Sequence, residues 1–356
     1  MATAARTGDP AVALLLPQCG AATLIAADEH WADAAWPSGA ATVISNRCEI
    51  AAAAAAAGLQ SHFNDFDFAA LQGQQFDSAL LRLPKERPLC HHLINQLYAA
   101  LKPGALLWLC GAKNDGIKTG FARASERFGG AAAVASKLRK HGMLYLGAVA
   151  KGATATPPLD SQRYPELRPL PAAPQWQSKP GIFGWQKIDR GSELLLHSWQ
   201  QLVNQSELTA PRRLLDLGCG YGYLGISAAQ WLAGQRQPFE LVLTDNNASA
   251  LLACSANLQQ LATAASSAVV AADAGAGIAG QFELILCNPP FHQGFSVEAS
   301  LTTKFLTATE QLLQPGGAAL FVVNEFIALD NAAVPLHFTE VVRRDGFKVV
   351  LMQRRR

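Results

Sequence analysis

The sequence has little charge, no paired cysteines and no long apolar run. Charged residues make up 16% of 356 positions, and the formal net charge is +2, so the overall charge singles out no class of partner. Seven cysteines are present, but none forms a CxxC pair and no Cys/His cluster has zinc spacing. That excludes a structural zinc site and a disulfide framework, and scattered free thiols predict a reducing, cytoplasmic setting. No apolar run reaches the roughly 18–20 residues needed to span a bilayer. The "AVALLL" stretch at 11–16 is too short, and lacks the basic lead, for a secretory signal. What is abundant is apolar: 50% of residues are hydrophobic, which excludes a disordered chain. The length suits two domains, each able to bury a core.

Residues 151–180 hold seven prolines and no sustained periodicity, the composition of an extended linker. The pieces on either side, 1–150 and 181–356, echo each other. "VISNRCEIAAAAAAAGLQ" (43–60) aligns without gaps to "VLTDNNASALLACSANLQ" (242–259). Each reads as a strand, a polar turn and an alanine-rich helix. "FDSALLRLPK" (76–85) then matches "FELILCNPPF" (282–291), and "LKPGALLWL" (101–109) matches "LQPGGAALFV" (313–322, with one residue of slip). A duplicated α/β domain is the expectation. The chemistry is not duplicated. Asn46 stands where the second half has Asp245, "RLPK" where it has "NPPF", and no glycine-rich loop precedes position 43. Only the second half is equipped as an active site.

In that half, "RRLLDLGCGYGYLGISAAQWL" (212–232) runs from an apolar strand through Gly218, Gly220 and Gly222 into a helix. Glycines there let the backbone turn sharply and approach a ligand, with unpaired helix N–H groups behind them. "GYGYLG" also satisfies the dinucleotide pattern G-x-G-x-x-G, and Asp245 at the end of "FELVLTD" is placed to accept from both ribose hydroxyls of NAD or of S-adenosylmethionine. Asp216, just before the glycines, favours a ligand with a cationic amine over one with a pyrophosphate, which a carboxylate repels.

The stretch "CNPPF" (287–291) decides between them. Two prolines cannot continue a central strand, and in an open α/β sheet the carboxyl ends of the strands face the ligand crevice. An exocyclic amine attacking a sulfonium methyl has its lone pair delocalised into a ring. Two acceptors for its N–H bonds pull it towards tetrahedral geometry and take up the charge that develops. The Asn288 side-chain oxygen and the Pro289 carbonyl supply the pair, held stiff by Pro289 and Pro290, while Phe291 stacks on the base. Cys287, lying before Asn288 without a Pro-Cys context, reads as an inert buried thiol. His292 either lines the pocket or is structural.

Asp273 in "VVAADAG" is either a partner for the adenine amine of the donor or a turn former beside Gly275. "KPGIFGWQKIDRGSELLLHSW" (179–199) places Gly181, Phe183, Asp189 and Ser192 ahead of a helix that Ser192 is expected to cap. It is an entry helix or a flap over the donor. The most basic stretch, 113–140, includes Lys137, Arg139 and Lys140. It is a solvated helix face or a surface docking nucleic-acid phosphates.

"PGIF…DRGSELLL", "DLGCGYGYLG", "TDNNASALLACSANL" and "CNPPFHQG", in that order, closely resemble the bacterial small-subunit ribosomal RNA guanine-N2 methyltransferases, the RsmC family. "LRLPKERPLCHHLINQLYAALKPGALLWLCGAKNDGIKT" and "GMLYLG" are similar to that family's degenerate first domain. "NPPFH" is shared with the large-subunit guanine-N2 enzymes, whereas "PGIF" and "GMLYLG" lean to the small-subunit group. The resemblance implies an α/β fold of two tandem Rossmann-like class I S-adenosylmethionine-dependent methyltransferase domains, the N-terminal one degenerate and supporting folding and RNA placement. It implies S-adenosylmethionine held by Gly218, Gly220 and Asp245, with Gly222, Asp216, Asp273 and Asp189 nearby. The guanine then meets Asn288 to Phe291, with His292 and Phe183 lining the substrate side. The partner implied is ribosomal RNA of the small subunit, met by a monomer. "FGWQKIDRGS" departs from the family pattern at Trp185 and Arg190. A protein-glutamine N5 methyltransferase, an adenine-N6 methyltransferase and a non-catalytic assembly factor stay open on the residues alone.

Overall fold

Both strand–turn–helix units expected from the repeat form, and each belongs to its own sheet. The computed structural model describes residues 8–354, except 38, 236–237, 261–265, 291–294 and 330–333; for 295–300 it describes the backbone only. The chain divides into two units, Met1–Glu166 and Leu167–Arg356. No helix among the described residues is long and apolar enough to cross a membrane.

In the first unit the strands are β1 (Thr23–Ala27), β2 (Thr42–Ser45), β3 (Gln60–Phe63), β4 (Phe76–Arg82), β5 (Leu101–Ala112), β6 (Val134–His141) and β7 (Leu144–Ala150). They lie in the order β3-β2-β1-β4-β5-β7-β6. The first five are parallel, and β7 joins β5 and β6 antiparallel. Helices α1 (Pro10–Leu15), α2 (Cys48–Ala56), α3 (Arg87–Ala100) and α4 (Ile117–Phe128) accompany them. Two apolar clusters share the central strands: Leu24, Ala26, Leu81 and Leu107 belong to one, and Ile25, Ala27, Val43 and Leu80 to the other. Strands buried on both faces read as continuous apolar runs for this reason.

The second unit repeats the plan. It opens with a hairpin, β8 (Arg168–Leu170) and β9 (Ala173–Ser178), then α5 (Arg190–Asn204), β10 (Arg213–Leu217), α6 (Tyr223–Gly234), β11 (Glu240–Asp245) and α7 (Ala248–Gln260). There follow β12 (Ser266–Ala271), β13 (Phe282–Cys287), α8 (Phe295–Leu312), β14 (Leu313–Asn324), β15 (His337–Arg344) and β16 (Phe347–Gln353). The order β12-β11-β10-β13-β14-β16-β15 matches that of the first sheet strand for strand. The direction of winding reverses between β10 and β13, so the crevice at their carboxyl ends is the switch point where ligands bind in open α/β sheets.

The proline-rich stretch at 151–180 is not the extended linker that its composition suggests. Its first part is strapped to the first unit: Asn95 exchanges hydrogen bonds with the Leu159 backbone at 2.8 and 2.9 Å, and Tyr164 is buried. Its second part forms β8 and β9 and buries Trp176 in the second unit's core. Prolines favour extended backbone, but buried aromatics tie that backbone down. The division between the units accordingly falls at Glu166–Leu167, inside this stretch.

Candidate active site

Register brings the two chemical motifs together. Asp216 of β10 pairs with Leu286 of β13, so two residues further on Gly218 and Asn288 leave neighbouring parallel strands at the same level. The glycine loop is folded back on the next strand. Gly218 and Cys219 both donate to the Thr244 carbonyl, at 2.9 and 2.8 Å. Gly218, Gly220 and Gly222 all have positive φ, at 82°, 55° and 90°, a region that side chains with a Cβ rarely enter.

The three glycines differ in what they face. A Cβ at Gly220 meets nothing within 4 Å, whereas one at Gly222 lies 2.7 Å from Ile226 Cδ1 and 2.9 Å from Cys254 Sγ. Gly220 thus borders open space, and Gly222, expected beside the donor, instead packs inward where the chain enters α6. The Asp245 carboxylate accepts from Gly220 N–H at 3.0 Å and from Asn247 N–H at 2.9 Å. Asp245 thus braces the loop from the end of β11, next to the open space at Gly220. Bare backbone at Gly220, a carboxylate at the end of β11 and the N-terminus of α6 together fit a nucleoside donor such as S-adenosylmethionine.

Asp216 and Asp273 need correction. The Asp216 side chain is 1% exposed, and its Oδ2 accepts from Gly225 N–H at 2.7 Å. Burial, against the pull of the Gly225 N–H and with help from the Asp245 charge, pushes this carboxyl up to about 7. Its Oδ2 thus anchors the first turn of α6, where the sequence suggested a partner for the donor's amine. Asp273 follows β12 as expected, but its Oδ2 is paired with Lys304 of α8, so that oxygen is not free for an adenine amine.

The clamp is set by a contact that sequence reading missed. The Nδ2 of Asn288 donates to Asp189 Oδ2 at 2.8 Å and to Ser192 Oγ at 2.9 Å. A carboxylate oxygen only accepts, so the orientation of the amide is fixed with Nδ2 towards α5 and Oδ1 turned the other way. Among the described residues no donor engages Oδ1. Asp189, expected at the donor, is the N-cap of α5, its Oδ2 accepting from Ser192 N–H at 2.9 Å; Ser192 lies inside the first turn and is not the cap. Pro289 is buried and Pro290 exposed, as a stiff corner requires. Burial, with Asp216 close by, holds the Cys287 thiol well above its ordinary range, consistent with an inert thiol. Phe291 and His292 lie outside the described residues.

Two asparagines absent from the sequence reading hold the surroundings. Asn257 is buried, accepts from Gln177 N–H, and donates to the Gln177 carbonyl and to the Tyr221 carbonyl in the glycine loop. The signal was available: Ala250, Ala253, Cys254 and Asn257 fall at i, i+3, i+4 and i+7, which puts one amide on an otherwise apolar stripe. Asn247 donates to the Gly181 carbonyl at 3.2 Å, fixing the turn that carries Phe183, itself 53% exposed.

The first unit has no such clamp. Arg82, aligned with Asn288, is buried and paired with Asp9 at 3.2 Å and Asp115 at 2.9 Å, so an ion-pair network stands at the carboxyl end of β4. The basic stretch 113–140 is not one helix face. Arg127 sits 3.6 Å over the Tyr98 ring and binds Thr156, and Arg123 pairs with Glu126. Lys137, Arg139 and Lys140 lie exposed on β6, the edge strand, and none has an acidic partner among the described residues.

Comparison with known proteins agrees. Residues 175–351 match the methyltransferase small domain family, and residues 38–156 match the family of its N-terminal domain. The ribosomal RNA small subunit methyltransferase C of Pseudomonas aeruginosa strain LESB58 is 35% identical over 260 residues, covering 70% of each chain. That of Hahella chejuensis is 30% identical over 270 residues, covering 73% of this chain and 72% of its own. The chain belongs to the RsmC family. The T. thermophilus 16S rRNA N2 methyltransferase RsmC, solved with AdoMet and guanosine, shares the fold across 98% of this chain and 92% of its own, at a TM-score of 0.76 and 22% identity. The two sheets are accordingly tandem class I methyltransferase folds, and only the second carries the RsmC family's glycine loop and Asn-Pro-Pro corner.

Proposed function

We infer that the second unit performs the family's reaction, transfer of a methyl group from S-adenosylmethionine to the exocyclic N2 of a guanine in 16S ribosomal RNA. The chain is an S-adenosylmethionine-dependent RNA methyltransferase. The observation that carries the residue assignment is the orientation of Asn288, at the level of Gly218 across the switch point.

Bound at Gly218, Gly220 and Asp245, the donor supplies an electrophilic methyl on a sulfonium. The chain's own residues prepare the amine. Asn288 Oδ1 and the Pro289 carbonyl accept its two N–H bonds, aim the lone pair and stabilise the positive charge as the N–C bond forms and the C–S bond breaks. The methylated amine then loses one proton to water; neither acceptor is a base, and none is needed because the amine turns acidic only as the bond forms. Phe291, His292, Pro290 and Phe183 are assigned to the base, and Lys137, Arg139 and Lys140 on β6 to RNA phosphates. The working form is a cytoplasmic monomer acting on the small ribosomal subunit or its RNA.

Asn288→Ala tests this: methyl transfer to 16S RNA is lost while RNA affinity is retained. Mass spectrometry of ribosomal RNA from cells lacking the protein reads the same point, the expected result being one N2-methylguanine missing from 16S RNA. A loss confined to 23S RNA points to the large-subunit enzymes, and unchanged RNA with an unmethylated protein glutamine points to the N5 enzymes.

A further inference from the structure

Beyond the guanine site, we propose that Phe326 is a stacking platform for an unpaired RNA base next to the target guanine; this rests on the function inferred above. Phe326 is 86% exposed, the most open of the large apolar side chains among the described residues. It is not on a loose loop. Its N–H donates to Asn324 Oδ1 at 3.1 Å, Ile327 N–H donates to the Asn324 carbonyl at 3.0 Å, and Glu325 N–H donates to the Gly346 carbonyl at 2.9 Å. The ring is therefore presented on a turn pinned at both ends.

Its place in the fold links it to the clamp. β14 runs parallel to β13, with Phe321 opposite Cys287, so Asn324 and Phe326 emerge at the same sheet edge as Asn288. A chain of contacts connects them. Asn288 is held by Asp189; Gly191, two residues on, packs so close to Phe347 that a Cβ added there would come within 3.1 Å of Cε1; Phe347 pairs with Asn324 across β16 and β14; and Asn324 Oδ1 accepts from Phe326 N–H. The neighbouring β15–β16 turn, with Asp345 and Gly346 at positive φ, carries Arg344, exposed and paired with Asp345 at 3.3 Å. An exposed aromatic ring at the end of the sheet that carries the clamp suits an unstacked base. Every base has a π-face, so the contact grips the strand without reading its sequence.

The test uses the full chain and deproteinised 16S RNA, with methyl transfer and RNA affinity by fluorescence anisotropy measured together. Stacking on one aromatic side chain contributes about 1–3 kcal/mol per base, which at 1.4 kcal/mol per decade is roughly a five- to hundredfold change. Phe326→Ala is expected to raise KM and Kd for the RNA at least fivefold, leaving kcat, the KM for S-adenosylmethionine and the melting temperature in place. Phe326→Trp restores affinity and Phe326→Leu does not. Equal RNA affinity of wild type and Phe326→Ala overturns the proposal, as does full rescue by leucine, which makes the site merely apolar. An effect seen on the assembled subunit but not on free RNA overturns it in favour of a protein partner. A wild type that binds RNA but fails to methylate it counts instead against the function itself, and the anisotropy still reads Phe326.

Discussion

Replacing Asp189 by alanine separates two roles that the sequence leaves joined. One oxygen of this carboxylate accepts from Ser192 N–H at 2.9 Å and from Asn288 Nδ2 at 2.8 Å. Losing the cap costs about 1 kcal/mol of stability. Charge-assisted hydrogen bonds contribute about 1.5–3 kcal/mol, and the lower end applies here because Asp189 is only partly buried. Ser192 Oγ remains as one acceptor at 2.9 Å, so the amide keeps a weaker preference for its working orientation. A half-turn of that amide puts a donor where the guanine amine needs an acceptor. A loss of about 1.5 kcal/mol of orientation predicts roughly a tenfold fall in kcat, with the KM for S-adenosylmethionine unchanged. Asp189→Asn keeps an acceptor oxygen and recovers most of the rate; Asp189→Ala with Ser192→Ala approaches Asn288→Ala. The assay is steady-state transfer of a labelled methyl group to 16S RNA, varying each substrate in turn. A raised donor KM with kcat intact refutes the reasoning and returns Asp189 to the donor. An unchanged kcat in the double variant refutes it too, since Asn288 then needs no latch.

Asp216 makes stability depend on pH. Its folded value near 7 lies above the ordinary 3.8, so its stabilising contribution is complete below about 4 and is lost as pH rises to about 7. The displacement corresponds to at most about 4 kcal/mol. Urea midpoints at pH 5 and pH 8 are expected to fall for wild type and to change less for Asp216→Asn; parallel curves contradict the assignment. Gly222→Ala forces a Cβ to within 2.7 Å of Ile226 at positive φ and is expected to destabilise by about 2–4 kcal/mol. Gly220→Ala, facing open space, costs about 1–2 kcal/mol and chiefly weakens donor binding. Thermal melts beside calorimetric titration of S-adenosylmethionine distinguish the two, and equal effects on both readouts sink the distinction. Glutamates at Lys137, Arg139 and Lys140 are expected to weaken RNA binding and flatten the plot of log K against log salt by about 2, at roughly 0.7 per phosphate contact on single strands. An unaltered slope removes β6 from the RNA surface.

Much of this was legible in the sequence because it is local or repeated. The alignment of 43–60 with 242–259 foretold two copies of one strand–turn–helix unit, and the sheets have the same order. Glycine needs positive φ wherever it occurs in the loop, and a double proline ends a strand whatever surrounds it. The motifs were readable for that reason. The roles of single carboxylates were not. Asp216, Asp189 and Asp273 all sit beside the right motifs, yet one anchors a helix turn, one holds an amide and one pairs with a lysine. Where a side chain points, and which distant group meets it, depends on packing.

The sequence by itself determined the fold plan, the number of domains, and which half keeps a glycine loop and an Asn-Pro-Pro corner, since these follow from backbone constraints and apolar periodicity along the chain. The tertiary structure alone decided that Gly218 and Asn288 leave adjacent strands at one level, and that residues 96 and 99 positions away orient the amide of Asn288. It also decided that the proline-rich stretch is packed down. The physical reason is the same throughout: hydrogen-bond partners distant in sequence are chosen by sheet register and burial, and no local pattern encodes them.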